Sequence, residues 1–203
     1  RNTDVGACTY SAVGTEFDPI ASFDYCGIAG MTNDYSNTGT LAGVQFPIGT
    51  TVVNWTLSDH CNNTATCAIT IYVGNDVDPL VSCPLTVNPY FTDPGQCHAS
   101  LSFEAAVSDD CGLASTQYSI LGNVIAFPYD FGIGNTIVDV LATDATGNTA
   151  MCSFNVIVED HEQPTVECPK PLYPFQVNEG QCNASLSFSA TSSDNCGVAT
   201  TSY

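Results

Sequence analysis

Apolar and polar side chains alternate with a period of two along much of the chain. Val138, Val140 and Ala142 share one side of their segment, with Asp139 on the other, and Val53, Trp55 and Leu57 alternate with Asn54 and Thr56. Phe154, Val156 and Val158 alternate with Asn155 and Ile157, and Ala99, Leu101 and Phe103 alternate with Ser100 and Ser102. Neighbouring residues of a β-strand point to opposite faces, so each segment predicts a half-buried strand. Gly, Pro, Asn and Asp separate the segments, and no window carries sustained helical periodicity with caps. Roughly seven such strands in every 85 residues or so predict an all-β chain of tandem immunoglobulin-like β-sandwich repeats.

The cysteines set the period. Cys83, Cys97 and Cys111 return as Cys168, Cys182 and Cys196, each 85 residues later, and Cys26 and Cys67 return as Cys111 and Cys152 at the same interval. Cys8 and Cys97 are 89 residues apart because the first copy has a loop four residues longer. The surrounding text agrees: DPGQCHASLSF at 93–103 becomes NEGQCNASLSF at 178–188, and SDDCGLASTQY at 108–118 becomes SDNCGVATTSY at 193–203. On this frame residues 1–75 are a repeat lacking its first strand, 76–160 a complete repeat and 161–203 the first half of a third. Arg1 stands at the phase of Tyr90 and Tyr203 at that of Tyr118. Half a sandwich does not bury Leu186 and Phe188, so the chain reads as a section of a longer tandem array. Completion by strands of neighbouring molecules is the alternative, disfavoured because the two incomplete pieces overlap in phase. Linkers this short predict domains standing end to end as a rod.

Twenty-one Asp and Glu stand against Arg1 and Lys170, a formal net charge of −19. That field repels nucleic acid and anionic lipid, whose binding needs Lys and Arg, and favours cations. No apolar run approaches the length that spans a bilayer, so direct membrane insertion is not expected, and any secretion signal lies outside this piece. Eleven cysteines occur without paired Cys-x-x-Cys knuckles, and Cys61 and Cys67 have no His at zinc-finger spacing. A disulfide framework in an oxidising, extracellular or cell-surface setting follows.

The order of motifs now carries a resemblance. PLVSCP and PTVECP, then GQC, then DDCG or DNCG, then FP before a strand, then TDATGNTAMCSFNVIVED closely resemble the hyalin repeat, or HYR, family over essentially the whole chain. The resemblance implies an immunoglobulin-like fold in tandem within extracellular adhesion and surface proteins. The chain departs from the pattern in the longer loop before Cys26 and in Cys61, which stands where the second copy has Thr146.

An immunoglobulin-like topology places the Cys111 loop and the turn before Cys152 at one end of a sandwich. Cys111 with Cys152, and Cys26 with Cys67, are therefore the expected disulfides. For Cys83 and Cys97 a local bond is the default, although opposite ends of one hairpin would hold them roughly 25–30 Å apart. Bonds across the junction, Cys97 to Cys168 and Cys8 to Cys83, are the other arrangement. Cys61 has no phase partner and is free, intermolecular or tied to the opening strand of its own copy.

The linkers GNDVDP and EDHEQP resemble those of calcium-stiffened adhesion repeats. Calcium takes six to eight oxygens, more than one linker supplies, so the loops of the next domain are expected to complete the shell. The expected ligands are Asp109, Asp110 and Asp144 beside Asp76 and Asp78, and Asp194 beside Glu159, Asp160 and Glu162. The competing reading is that these acids solvate and cap turns. Sequons at Asn54, Asn62 and Asn183 are expected glycosylation sites.

His60, His98 and His161 lack a nucleophile at any familiar spacing, and Gly132 and Gly134 precede no helix that would bind phosphate. The expectation is a non-enzymatic structural or adhesive segment without organic cofactor. Its partners would be neighbouring copies of the same protein, with cell-surface or matrix components beside them, in a fibre or surface stalk. A glycan-binding module using exposed aromatics such as Tyr72, or accessory domains of a secreted enzyme, are the alternatives.

Overall fold

A computed structural model describes residues 1–20, 23–170 and 174–202. Tyr203, whose phase matches Tyr118, lies outside them. Among the described residues there is no helix. The strands in chain order are β1 (Thr9–Ser11), β2 (Ile28–Asn33), β3 (Gln45–Pro47), β4 (Gly49–Asp59), β5 (Thr64–Val73), β6 (Leu80–Ser82), β7 (Tyr90–Phe91) and β8 (His98–Leu101). They continue as β9 (Ala106–Ser108), β10 (Leu113–Ile120), β11 (Asn123–Ile125), β12 (Tyr129–Gly132), β13 (Gly134–Asp144), β14 (Thr149–Glu159), β15 (Thr165–Glu167) and β16 (Thr191–Ser193). The residues fall into two compact units. One comprises Arg1–Ser82, Ala106–Gln117 and Leu141–Cys152, and the other Cys83–Ala105, Tyr118–Val140 and Ser153–Tyr203.

In the first unit β4 and β5 form a long antiparallel hairpin, in register from Gly49↔Val73 to Ser58↔Thr64, and β2 pairs with the other edge of β4. The short β1–β3 pair faces this sheet. The predicted alternation governs burial: Val53 and Trp55 are sealed in a cluster with Ala12, Leu41, Phe46, Ile71 and Val73, while Asn54 and Thr56 face solvent. Phe46 anchors the β3 side, with Tyr35 stacked on it at 5.0 Å and Phe17 edge-on at 5.7 Å. The same unit holds the β6–β9 pair, Leu80 opposite Ser108.

In the second unit an aromatic centre forms around Phe103. Its ring meets Phe154 of β14 at 5.1 Å and Phe131 of β12 at 6.1 Å, and Tyr90 and Phe127 close the sides. Strand β12 pairs with β8, so these contacts join that pair to the sheet carrying β14. The larger sheet has the order β11-β10-β13-β14-β7, with β7 parallel to β14. Asn88 secures that edge: its Nδ2 donates to the Asn155 carbonyl at 3.0 Å and its Oδ1 accepts from Ile157 N–H at 2.8 Å. The chain is thus all-β with sandwich-like sheets, as the alternation predicts.

Candidate functional site at the repeat boundaries

Two recurring turns make the site. The first is the Asp-x-Cys-Gly turn, in which a carboxylate accepts the N–H of the cysteine two residues on: Asp24 from Cys26 at 2.6 Å, Asp109 from Cys111 at 2.8 Å and Asp194 from Cys196 at 2.9 Å. The glycine after each cysteine has positive φ, 75°, 91° and 96° at Gly27, Gly112 and Gly197, a region other residues enter only with strain. The second is the Gly-x-Cys turn. There Ala7 N–H donates to Asp4 O, Gln96 N–H to Asp93 O and Gln181 N–H to Asn178 O, at 2.9–3.0 Å.

These turns meet between one repeat and the next. Cys8 bonds Cys111 with Cα atoms 5.0 Å apart, and Cys97 bonds Cys196 with Cα atoms 4.8 Å apart. Cys8 and Cys97 occupy one phase, Cys111 and Cys196 another, so the same bond occurs twice. The expected pairs are overturned. Cys26 bonds Cys61, and Cys67 is a free, exposed thiol. The register supplies the reason: Ile28 lies opposite Asp59, which puts Cys26 beside the turn holding Cys61, whereas Cys67 lies opposite Trp55. Four residues along a strand is about 13 Å, beyond the reach of a disulfide. Cys111 is taken by Cys8, so the expected bond to Cys152 does not form, although Cys152 is held in a disulfide, as is Cys83. Bonding of Cys8 to Cys111 and of Cys97 to Cys196 also excludes Cys8–Cys83, Cys97–Cys168 and a local Cys83–Cys97 bond.

Beside the Cys8–Cys111 bond lies a buried polar knot. Asp144 is 1% exposed; its Oδ1 accepts the N–H groups of Thr146, Gly147 and Asn148 at 2.6–2.8 Å. Its Oδ2 accepts from Thr146 Oγ1 at 2.9 Å, Asn148 Nδ2 at 2.8 Å and Asn75 Nδ2 at 3.1 Å. Asn148 Nδ2 also reaches the carbonyls of Asn75 and Val77, both at 3.1 Å, tying the β13–β14 turn to the linker. Burial pushes the Asp144 pKa up, but the hydrogen bonds from Thr146 and Asn148 outweigh it and bring it from 3.8 to about 2. Asp59 repeats the turn with Asn63, four residues on, as Asp144 does with Asn148.

The other linker is held differently. Asp160 Oδ1 accepts from Glu162 N–H at 3.0 Å, Thr92 Oγ1 at 3.1 Å and Asn195 Nδ2 at 3.2 Å. The Glu162 N–H, followed by Asn195, lowers the Asp160 pKa. Asn195 Nδ2 also donates to the Gln96 carbonyl at 2.7 Å, and Glu162 Oε2 accepts from Gly95 N–H at 2.9 Å.

The expected calcium ligands therefore separate. Asp78, Asp109 and Asp110 line one cavity of about 390 Å³ with Val5, Gly6 and Leu80. Asp109 and Asp110 each offer an oxygen within the same 4.8 Å cluster, and Asp109 Oδ2 is buried without a hydrogen-bond partner among the described residues. Glu162 and Asp194 line the repeat-equivalent cavity of about 280 Å³ with Asn195. Asp144 is filled by hydrogen-bond donors, and Asp76 accepts from Asn2. Glu159 is exposed beside His161, 3.3 Å away. Of the sequon asparagines, Asn54 is exposed on β4 with its amide donating to Asp34 Oδ2 at 2.7 Å. Asn62 is exposed in the turn at φ 66°, and Asn183 is exposed beyond the Gly-x-Cys turn. Tyr72 is exposed as well.

Cys196, Asn75 and Asn148 have no part in the site on the sequence alone, whereas Cys8 and Cys97 are expected in junction bonds but with Cys83 and Cys168 in place of their actual partners Cys111 and Cys196. The signal for the cysteines is the fixed order of Gly-x-Cys and Asp-x-Cys-Gly in every copy.

The sheets, the recurring turns and the bonds between them define a tandem β-sandwich module. The chain belongs to the HYR domain family, which matches it at residues 7–73 and 76–158. It is 33% identical over 165 residues to hyalin of Lytechinus variegatus, covering 78% of this chain and 30% of that protein. With hyalin of Strongylocentrotus purpuratus it shares 29% over 185 residues, covering 88% of this chain and 15% of that protein. It also matches a rat protein with sushi, von Willebrand factor type A, EGF and pentraxin domains, at 30% over 114 residues, 56% of this chain and 3% of that one. The chain thus spans less than a third of either hyalin. Among solved structures, fibronectin(III)-like modules of Clostridium thermocellum CbhA align with a TM-score of 0.37 at 15% identity, over 69% of this chain and 83% of theirs. The extracellular cadherin domains 1–5 of protocadherin gamma B2 align at 0.33 and 12%, over 60% and 27%.

Proposed function

We propose that the chain is a non-catalytic segment of an extracellular structural or adhesive protein, whose tandem repeats build a fibre or surface stalk through contacts with neighbouring copies. The observation that carries this reading is the disulfide between the Gly-x-Cys turn of one repeat and the Asp-x-Cys-Gly turn of the next, formed at both boundaries. Such a bond fixes neighbouring repeats to each other and persists only where thiols are oxidised. Membership of the HYR family and similarity to hyalin support the same class.

Calcium belongs to this proposal at the first boundary. Asp78, Asp109 and Asp110 would hold it, with carbonyls and water completing the shell, and it would offset the repulsion among these carboxylates. Asp144 serves as a structural acceptor and is not in that set. Asn62 and Asn183 are the sequons best placed for glycan, because the Asn54 amide is already engaged by Asp34. Electron microscopy of native material, untreated, chelated and reduced, tests the reading. Regular filaments that loosen on chelation and fall apart on reduction support it in full. Filaments indifferent to chelation remove calcium, and isolated monomers under every condition overturn fibre assembly.

A further inference from the structure

The third Gly-x-Cys turn has the build of the other two. Gly180 has φ 75°, against 74° at Gly6 and 72° at Gly95. Asn178 N–H donates to Asn183 O at 3.1 Å, as Asp4 N–H does to Thr9 O and Asp93 N–H to His98 O, both at 2.8 Å. The cysteine in each of the first two turns is bonded to an Asp-x-Cys-Gly cysteine of the next repeat, whereas Cys182 is an exposed free thiol. Cys168 is also free, and the two do not bond each other.

We infer that Cys182 is a covalent coupling site for another HYR repeat, its partner being the cysteine of an Asp-Asx-Cys-Gly turn. This rests on the tandem-repeat reading above and adds a specific linkage to it. The partner turn carries its own recognition. In the second copy of the junction, Asn195 of that turn donates to the carbonyl of Gln96, the residue before the bonded cysteine. Gln181 stands at the same place before Cys182 and presents the same carbonyl. Forming the bond removes one proton and one electron from each of the two thiols. A protein disulfide of the secretory compartment accepts both electrons and is reduced to a dithiol.

The test is disulfide mapping of the unreduced native protein. Free thiols are alkylated with N-ethylmaleimide, the protein is cleaved with a chymotrypsin-like and a Glu-specific protease, and linked peptides are read by mass spectrometry. The expected result is a Cys182 peptide joined to a peptide containing Asp-Asx-Cys-Gly. Non-reducing electrophoresis then separates the sources: multimers that collapse on reduction place the partner in a second molecule, and an unchanged mass places it in the same polypeptide. An alkylated Cys182, or a Cys182–Cys168 peptide, overturns the inference. In C182S the linked peptide disappears while the Cys97–Cys196 peptide persists, which separates loss of coupling from loss of fold. Filaments seen by microscopy together with alkylated Cys182 would overturn this linkage and leave the assembly reading standing.

Discussion

Asn75 and Asp144 lie 69 residues apart, yet a hydrogen bond of 3.1 Å joins their buried side chains. Through it the linker after the first repeat is fastened to a turn of the second, and Asn148 reinforces the fastening with bonds to the Asn75 and Val77 carbonyls. Removing the carboxylate leaves buried N–H groups without an acceptor. D144A is therefore expected to lose about 2 to 4 kcal/mol of stability, since bonds to a charged group and orphaned donors each cost more than an ordinary hydrogen bond. Chemical denaturation followed by circular dichroism measures this, and a loss below about 1 kcal/mol would contradict the role given to Asp144.

The same carboxylate sets a pH dependence. Its pKa is lowered in the folded chain, from 3.8 to about 2, so folding favours the ionised form. The resulting stability is fully present above the ordinary value and is lost as pH falls through the window between about 4 and 2. Thermal unfolding midpoints across that range should drop steeply in the natural chain. The drop should be shallower in D144N, with a residual slope from Asp59 and Asp160, whose pKa values are lowered as well.

Trp55 is the single tryptophan, and it is 1% exposed at the centre of the first cluster. Its emission therefore reports that cluster alone, and W55A should cost about 3 to 5 kcal/mol through lost burial and the cavity left behind. Spectra of the natural chain should shift to the red in one step on denaturation. A red-shifted spectrum in native buffer would contradict the burial.

The Cys97–Cys196 bond closes a sequence separation of 99 residues. Replacing both cysteines by serine avoids a stray thiol and should remove about 4.7 kcal/mol by the chain-entropy estimate. Protease susceptibility of residues 161–203 should rise in C97S/C196S, while Cys8–Cys111 stays intact on a peptide map. Equal resistance would mean that the bond adds little to the fold.

Calcium, if held by Asp78, Asp109 and Asp110, should bind with the modest affinity of extracellular modules, about 0.1–1 mM. At about 10 mM the stabilisation would then be about 1.4 to 2.7 kcal/mol. Calorimetric scans should show a raised midpoint in the natural chain and none in D109N/D110N. A shift that survives in D109N/D110N would move the ion elsewhere.

The strands were legible because burial follows the period-two pattern: Val138, Val140 and Ala142 are all 0% exposed. Leu57 is only half-buried, since the alternation says which side a residue faces and not how well that side is covered. Disulfide partners were not legible. The phase of Cys111 is plain from the sequence, but whether it faces Cys152 in its own repeat or Cys8 in the previous one depends on how two turns approach in space. The exchange of Thr146 for Cys61 was the clue that the first copy pairs its cysteines differently. Asp144 shows the limit for the acids: the Asp-to-Asn spacing at 59–63 and 144–148 marks a self-filled turn, while charge alone suggests a ligand.

The two boundary bonds have overlapping spans, Cys8 to Cys111 and Cys97 to Cys196, like successive loops of a chain stitch. Tension applied beyond Cys8 and Cys196 crosses one bond, returns along the 14 positions from Cys111 back to Cys97 and crosses the other. That path reaches about 60 Å at full stretch, whereas the 188 positions from Cys8 to Cys196 would pay out about 650 Å without the bonds. Even with every strand unravelled, the oxidised segment stays short, and reduction is what turns it into an extensible thread.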